Sequence, residues 1–211
     1  MIKVLIVDDH HIVREGLERI ISFENDIIVA GKSINSAEAI RFLAGQKVDV
    51  VVLDISMPGR SGMDIIQDLK KIRSEVKIIM LSMHQEEQFA MRAFKSGASG
   101  YLTKEMAPEE IVKAIRKVHS GRKYISSRYA EILADEIQGD ADKLPHERLS
   151  NREFEVMCMI GRGVTITNIA AELSLSDRTI STYHTRIFEK MNITSNAEIT
   201  IYLIEHGMLV K

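Results

Sequence analysis

Five short apolar runs, at residues 2–7, 27–30, 48–53, 76–81 and 100–102, punctuate the first 120 residues. Most are dominated by Val, Ile and Leu, with no more than one charged residue near the start (Lys3, Asp49, Lys77), rather than alternating strictly between apolar and polar positions. A strand of that kind has to be covered on both faces. Between the runs lie amphipathic helix patterns. One carries Ile12, Leu17, Ile20 and Ile21; the others fall at 36–44, 62–73, 86–96 and 108–119. Strands that alternate with helices pair in parallel, because each crossover helix returns the chain to the same edge. The expected fold class is therefore α/β, with a five-stranded parallel sheet covered on both sides.

From about residue 126 the pattern becomes purely helical. Residues 128–138 read as a linker helix, and 139–146 are polar and acidic with one proline, which reads as a tether. Leu149-Ser150-Asn151-Arg152-Glu153-Phe154 then announces a second domain. Ser150 can cap a helix while Glu153 reaches back to it, and Leu149 and Phe154 stand where a hydrophobic staple would close. Ser195 and Glu198 repeat the spacing later. The expected partition is 1–122, a partly helical linker at 123–148, and an all-α four-helix domain at 149–211.

Composition is ordinary for a globular protein, with 45% hydrophobic and 27% charged residues. No apolar run approaches the roughly 20 residues of a membrane span. The run at 2–7 is too short for a signal-peptide core. A cytoplasmic protein with no membrane partner is expected. The single cysteine, Cys158, cannot form an internal disulfide and sits among apolar neighbours, so it reads as a small buried hydrophobe.

Charge is uneven. Residues 1–125 carry 19 Lys+Arg against 17 Asp+Glu, residues 126–148 carry 3 against 6, and residues 149–211 carry 6 against 7. A DNA-binding segment is usually basic, and the last one is not. Three of its six basic residues, Arg178, Arg186 and Lys190, nevertheless fall on one helix.

Polar residues cluster where strands end: Asp8 and Asp9, Asp54, Ser82 and Lys104. All strand ends of a parallel sheet lie on one edge, the edge where such folds hold ligands. Residues separated by 46, 28 and 22 positions should thus converge. Taken singly, each has an ordinary role: the aspartates as helix caps, Ser82 as a turn residue, Lys104 as a solvated charge. Together they form a pocket that needs a counter-charge, since close carboxylates repel by about 4 kcal/mol per pair at moderate dielectric. A hard divalent ion such as Mg²⁺ suits three carboxylates. A carboxylate so neutralised can attack a phosphoryl group and become an aspartyl phosphate. Lys104 and the Ser82 hydroxyl are placed to receive the product.

Asp8-Asp9-His10, with Arg14, Gly16 and Leu17, resembles the start of two-component receiver domains. So does Asp54-Ile55-Ser56-Met57-Pro58, closed by Gly62, and so does the run from Gly97 to Lys104. The resemblance covers residues 1–120. It implies a flavodoxin-like receiver, Asp54 as phosphoacceptor for a cognate sensor histidine kinase, and Mg²⁺ held by Asp9, Asp54 and the Ser56 carbonyl, with Asp8 acting through water. It also implies Ser82 and Tyr101 as a switch pair, Tyr101 following Ser82 inward, and Ser56 and His84 as tuners of phosphate lifetime; by themselves Tyr101 reads also as a half-buried strand aromatic and His84 equally as a plain surface residue. Many receivers place Pro after the lysine; here Glu105 stands there.

In the last segment, residues 165–173 read as a short helix and 174–176 as a turn. Ser176 then caps a helix at 177–191 with Ile180, Tyr183 or His184, Ile187 and Met191 along one stripe. Its other face carries Arg178, Ser181, Thr182, Thr185, Arg186 and Glu189. Two short helices joined tightly, the second presenting polar side chains, is the DNA-reading arrangement; a helical module with a solvated face would look the same. This segment resembles the LuxR-type helix-turn-helix of NarL/FixJ response regulators, through Leu149-Ser150-x-Arg152-Glu153, Ile169-Ala170-x-x-Leu173, Leu175-Ser176-x-x-Thr179-Ile180-Ser181 and Ile187-Phe188-x-Lys190-Met191. The resemblance implies base contacts from Ser181, Thr182 and Thr185. It implies phosphate contacts from Arg178, Arg186 and Lys190, and a DNA-bound dimer joined by the final helix, from Ser195 to His206. Ile166-Thr167-Asn168 replaces the usual Asn-Lys-Glu, and Ser181 stands where lysine is common.

The expected function is a phosphorylation-controlled transcription regulator rather than an enzyme. Its partners would be DNA, a kinase, a second copy when phosphorylated, and RNA polymerase. The acidic linker, with Glu131, Asp135, Glu136, Asp140 and Asp142, would let an unphosphorylated receiver hold the DNA-binding domain in check. The competing classes are a phosphohydrolase, a flavin or nucleotide carrier, and a protein-only adaptor. A phosphohydrolase needs further substrate-gripping residues, and Asp8-Asp9-His10-His11 would repel a bound phosphate in a carrier.

Overall fold

The computed structural model describes residues 1–83, 86–125 and 144–209. His84, the linker helix at 128–138 and the acidic linker residues lie outside that set. The chain forms two compact units, Met1–Glu131 and Ile132–Lys211.

In the first unit, β1 (Ile2–Val7), α1 (His11–Ser22), β2 (Ile27–Ser33), α2 (Ser36–Gly45), β3 (Val50–Asp54), α3 (Gly62–Ile72), β4 (Lys77–Ser82), α4 (Glu86–Ser96), β5 (Gly100–Thr103) and α5 (Ala107–His119) alternate strictly. The sheet is parallel with strand order β2-β1-β3-β4-β5. The chain therefore reverses its direction of winding between β1 and β3, which opens a crevice at the carboxyl ends of those two strands. Helices α1 and α5 pack on each other, while α3 packs on both α2 and α4. One core joins Val4, Ile6, Val52 and Leu81 of the sheet to Leu17 and Ile21 of α1 and to Ile111, Ile115 and Val118 of α5. Each such side chain, fully buried, is worth about 1.5–3 kcal/mol. The expected α/β class and the strand count stand.

Two local expectations change. Ile12, assigned to the apolar stripe of α1, is 86% exposed. At 100° per residue it lies about 140° from Leu17 and about 180° from Ile21, so it cannot share their face. Val13, Leu17, Ile20 and Ile21 are the residues that pack. Strand β2 runs on past Ala30 to Ser33, through a register shift opposite Val4/Leu5 that leaves Ala30 unpaired. The polar end of an edge strand gives no apolar run to read, and the bulge changes which side faces in.

Among its described residues the second unit holds a 3-10 turn (Pro145–Arg148) and four helices: α6 (Asn151–Gly161), α7 (Ile166–Glu172), α8 (Asp177–Met191) and α9 (Asn196–Glu205). The end of the expected tether is thus ordered, with Pro145 in the first helical turn, where a missing N–H costs nothing. The capping box at Ser150 and Glu153 is formed in both directions. At Ser195 it is half formed: Ser195 Oγ accepts from the Glu198 amide, but Glu198 reaches the Thr194 amide instead of that of Ser195. Among the described residues no helix is long and apolar enough to cross a membrane.

Candidate functional site

The crevice between β1 and β3 brings the acidic residues together. Asp8 follows β1 and is fully buried; Asp54 closes β3 and is 1% exposed. Lys104 arrives from the end of β5, with Nζ 2.8 Å from Asp8 Oδ2 and 2.8 Å from Asp54 Oδ2. Its amide also donates to the Ser82 carbonyl at 2.7 Å, tying the β5 and β4 ends. Ser82 is fully buried at the end of β4. The Ser56 amide donates to Asp54 Oδ1 at 3.3 Å. Tyr101 is paired beside Met80 in the sheet and already lies inside, 1% exposed. The Lys104–Glu105 peptide is trans.

One ammonium cannot neutralise three carboxylates. Burial and the Asp8 charge push Asp54 up to about 7, against the pull of Lys104. Burial works against the Lys104 ammonium, but Asp54 and Asp8 outweigh it and hold its pKa raised. Asp8 Oδ2 and Asp9 Oδ1 are buried and accept no hydrogen bond of good geometry. Lys104 stands 2.8 Å from the first and His10 Nδ1 2.9 Å from the second, close approaches without the alignment of a hydrogen bond. Two under-satisfied carboxylate oxygens aimed into one crevice fit a hard cation.

Three supporting residues were not singled out for these roles in the sequence. Arg14 is buried on α1 and donates from Nη1 to the Asp8 carbonyl at 2.7 Å, fixing the strand end. Gly62 crosses the back of the site: a Cβ there would fall 1.9 Å from the Asp54 carbonyl oxygen. His10 donates its amide to Asp8 Oδ1 at 2.8 Å and sets its ring beside both aspartates. Adjacency to the aspartate pair was the only available sequence signal for His10.

In the second unit, α7 and α8 meet at a tight turn. Ser174 adopts a left-handed φ of 52°, and Ser176 Oγ accepts from the Thr179 amide to start α8. Ile180, Ile187 and Met191 are buried, whereas Tyr183 and His184 are only half-buried. Ser181, Thr182 and Thr185 are exposed, and each hydroxyl donates to the carbonyl four residues earlier. That leaves their oxygens available as acceptors at the surface. Arg178 and Arg186 are exposed and line a shallow concavity with Ser176, Thr179, Thr182 and Tyr183. Lys190 is exposed on the same helix and pairs with α6: its Nζ lies 2.6 Å from Glu153 Oε2. Burial works against the Glu153 carboxylate, but Lys190 and the Ser150 amide and hydroxyl hold its pKa lowered.

Residues 4–116 match the response regulator receiver domain family, and residues 147–203 match the luxR family of bacterial regulatory proteins. The chain is 39% identical to the response regulator UvrY of Escherichia coli (strain K12) over 99% of its length and 96% of that protein. It is 36% identical to the response regulator GacA of Pseudomonas aeruginosa, covering 99% of this chain and 98% of GacA. Among solved structures, RcsB of Salmonella enterica serovar Typhimurium, bound to promoter rprA in the presence of phosphomimetic BeF3−, superposes with a TM-score of 0.65. It has 26% identity over 96% of this chain and 98% of that one. A LuxR-family two-component response regulator from Aurantimonas sp. SI85-9A1 has 35% identity and a TM-score of 0.60, covering 65% of this chain and 98% of that one.

Proposed function

The chain belongs to the response regulators that join a receiver to a LuxR-type helix-turn-helix, and on that premise we propose that phosphorylation of Asp54 controls DNA binding by α8. The observation that carries the proposal is the convergence of Asp8, Asp54 and Lys104 within hydrogen-bonding distance at the β1/β3 crevice. Residues 1–122 form the receiver, 123–148 the linker and 149–211 the DNA-binding domain.

An Asp54 carboxylate oxygen attacks the phosphorus of a phosphohistidine on the kinase. A P–O bond forms and the P–N bond breaks. The departing imidazole takes up a proton. Lys104, already paired with Asp54 Oδ2, stays as the fixed positive charge beside the new phosphoryl group. The Ser82 hydroxyl, at the adjacent strand end, donates to a phosphoryl oxygen. Asp8, Asp9, Asp54 and the Ser56 carbonyl would hold Mg²⁺. When bound, the ion screens the attacking carboxylate from its neighbours and draws charge from the transferring oxygens. Tyr101 on β5, buried beside Met80, is the residue that would answer the Ser82 hydroxyl as the second member of the switch pair.

The same reading gives α8 its role. Ser181, Thr182 and Thr185 meet base edges, and Arg178 and Arg186 meet phosphates. Promoter-bound RcsB supports this assignment by likeness. Two copies binding adjacent half-sites would compensate for a domain with few free cations. The test is incubation of the full chain with acetyl phosphate and Mg²⁺, followed by peptide mapping. One phosphate on Asp54, absent from Asp54→Asn, is the expected result; phosphate persisting in Asp54→Asn overturns the assignment.

A further inference from the structure

The aspartates of the acidic crevice offer only oxygen, but a ring nitrogen stands at its mouth. Asp8, Asp9, His10 and Asp54 each offer one ligand atom, and these atoms all lie within 4.8 Å of one another. His10 Nδ1 is 3.1 Å from Asp8 Oδ1 and 2.9 Å from Asp9 Oδ1. Asp9 Oδ1, the oxygen nearest that ring, is buried and accepts no well-aligned hydrogen bond, and neither does the fully buried Asp8 Oδ2. The ring is held there by its own backbone, because the His10 amide donates to Asp8 Oδ1 at 2.8 Å.

We infer that His10 makes this crevice a mixed oxygen-nitrogen site, one that binds a borderline divalent transition ion such as Co²⁺, Ni²⁺ or Zn²⁺ through its imidazole. The inference rests on the reading of the crevice as the receiver's metal site and deepens it. The chemistry follows from ligand type. Mg²⁺ takes hard oxygens, keeps several waters and gains little from imidazole. Ions later in the divalent series favour imidazole nitrogen, and their affinity for a given site rises toward copper. Nδ1 now lies against two carboxylates, where it serves as a donor. To bind a metal it must be the unprotonated nitrogen, so the ring carries its proton on Nε2, and that nitrogen has room to do so because the side chain is 61% exposed. No backbone movement is needed to bring the ring to the carboxylates.

A second consequence concerns occupancy. Mg²⁺ and a transition ion would compete for the same two aspartate oxygens. Metal identity would then set how much of the protein is ready to accept phosphate.

The test uses the full-length protein with Co²⁺ and Mg²⁺ separately. Binding is read by calorimetry, and the histidine ring resonances by NMR. Wild-type protein should bind both ions, and Co²⁺ should shift the His10 ring resonances far more than those of His11, whose ring is 76% exposed on the next residue. His10→Ala should weaken Co²⁺ at least about tenfold more than it weakens Mg²⁺; His10→Asn, which keeps a polar group there, should do the same. If both variants lower the two affinities in equal proportion, or if His10 moves no more than His11, His10 is not a ligand and the inference falls alone. If neither ion binds, or if Asp9→Asn leaves both affinities unaltered, the crevice is not a metal site, and the underlying reading falls with it.

Discussion

Lys104 Nζ lies 2.8 Å from Asp54 Oδ2 across fifty residues of chain. It is 2.8 Å from Asp8 Oδ2 as well, so a single cation bridges the ends of β1 and β3 from the end of β5. With its side chain only 9% exposed, it holds two buried carboxylates that otherwise repel each other. Lys104→Met should therefore destabilise the receiver by about 3 kcal/mol at pH 8 without metal, as expected when one partner of a buried pair is removed. Calorimetry of the full-length protein would show this in the receiver's unfolding step. Mg²⁺ should recover most of the loss, and an unchanged transition would refute the bridging role.

The Asp54 carboxyl gives the metal-free protein a pH dependence of defined sign. Its folded pKa is raised from 3.8 to about 7, so the native state binds that proton more tightly than the unfolded chain does. The stability this contributes is complete below about pH 4 and is lost as pH rises through about 7. In EDTA, Asp54→Asn should melt above wild type at pH 8, by several degrees if a few kcal/mol are relieved. The gap should close at pH 4 and shrink at pH 8 when Mg²⁺ is added. A gap of the same size at both pH values would refute the shift.

Gly62→Ala should injure the site from behind. The new Cβ would fall 1.9 Å from the Asp54 carbonyl oxygen, a backbone atom that cannot rotate away. The Gly62 amide also donates to the Ile55 carbonyl at 2.9 Å, which keeps the loop close. Overpacking of this kind costs about 1–3 kcal/mol. Phosphorylation by acetyl phosphate should slow as well, because relief of the clash displaces Asp54. A variant with wild-type melting and labelling rates would show that the loop yields freely.

Cations on α8 should divide into two kinds. Arg178→Ala and Arg186→Ala should weaken binding to every DNA sequence and reduce the salt slope by about one each. Lys190→Ala should change that slope by less and should instead cost the domain about 1 kcal/mol, since Lys190 is bound to Glu153. Thr182→Ala should alter base preference with little effect on the slope. Filter-binding titrations across a salt series separate these outcomes; a full unit of slope lost in Lys190→Ala would mean the lysine leaves Glu153 for the phosphate.

The reading of α8 from sequence matched the structure from Asp177 to Met191 because two independent signals agreed, a Ser176 cap and a 3.6-residue stripe; the structure adds Asn192 in a left-handed position just past the end. The acidic crevice was legible for a different reason, since topology sends every strand end to one edge whatever the loops do. What sequence could not provide was position across space. Ile12 looked like core because it is apolar, although its helical phase already excluded it. The pairing of Lys190 with Glu153 was not legible, because charge carries no mark of its partner and Glu153 lies 37 residues away. Arg14 and Gly62 earn their places only through the carbonyls they touch, and backbone carbonyls have no sequence signature.

Glu153 Oε2 accepts both from the Ser150 amide, at 2.8 Å, and from Lys190, at 2.6 Å. The cap of one helix and the tail of another thus share an atom. A recognition helix built this way is not a cassette that can be exchanged alone. Grafting residues 177–191 onto a scaffold with no acid facing Lys190 would free a cation and raise indiscriminate DNA affinity. Placing a foreign recognition helix on this scaffold without that lysine would strand Glu153 and loosen the cap of α6. The smallest piece that can be traded between such regulators without changing its non-specific charge is α6 through α8 together, and altered promoter choice would have to come from residues such as Thr182 that have no partner in α6.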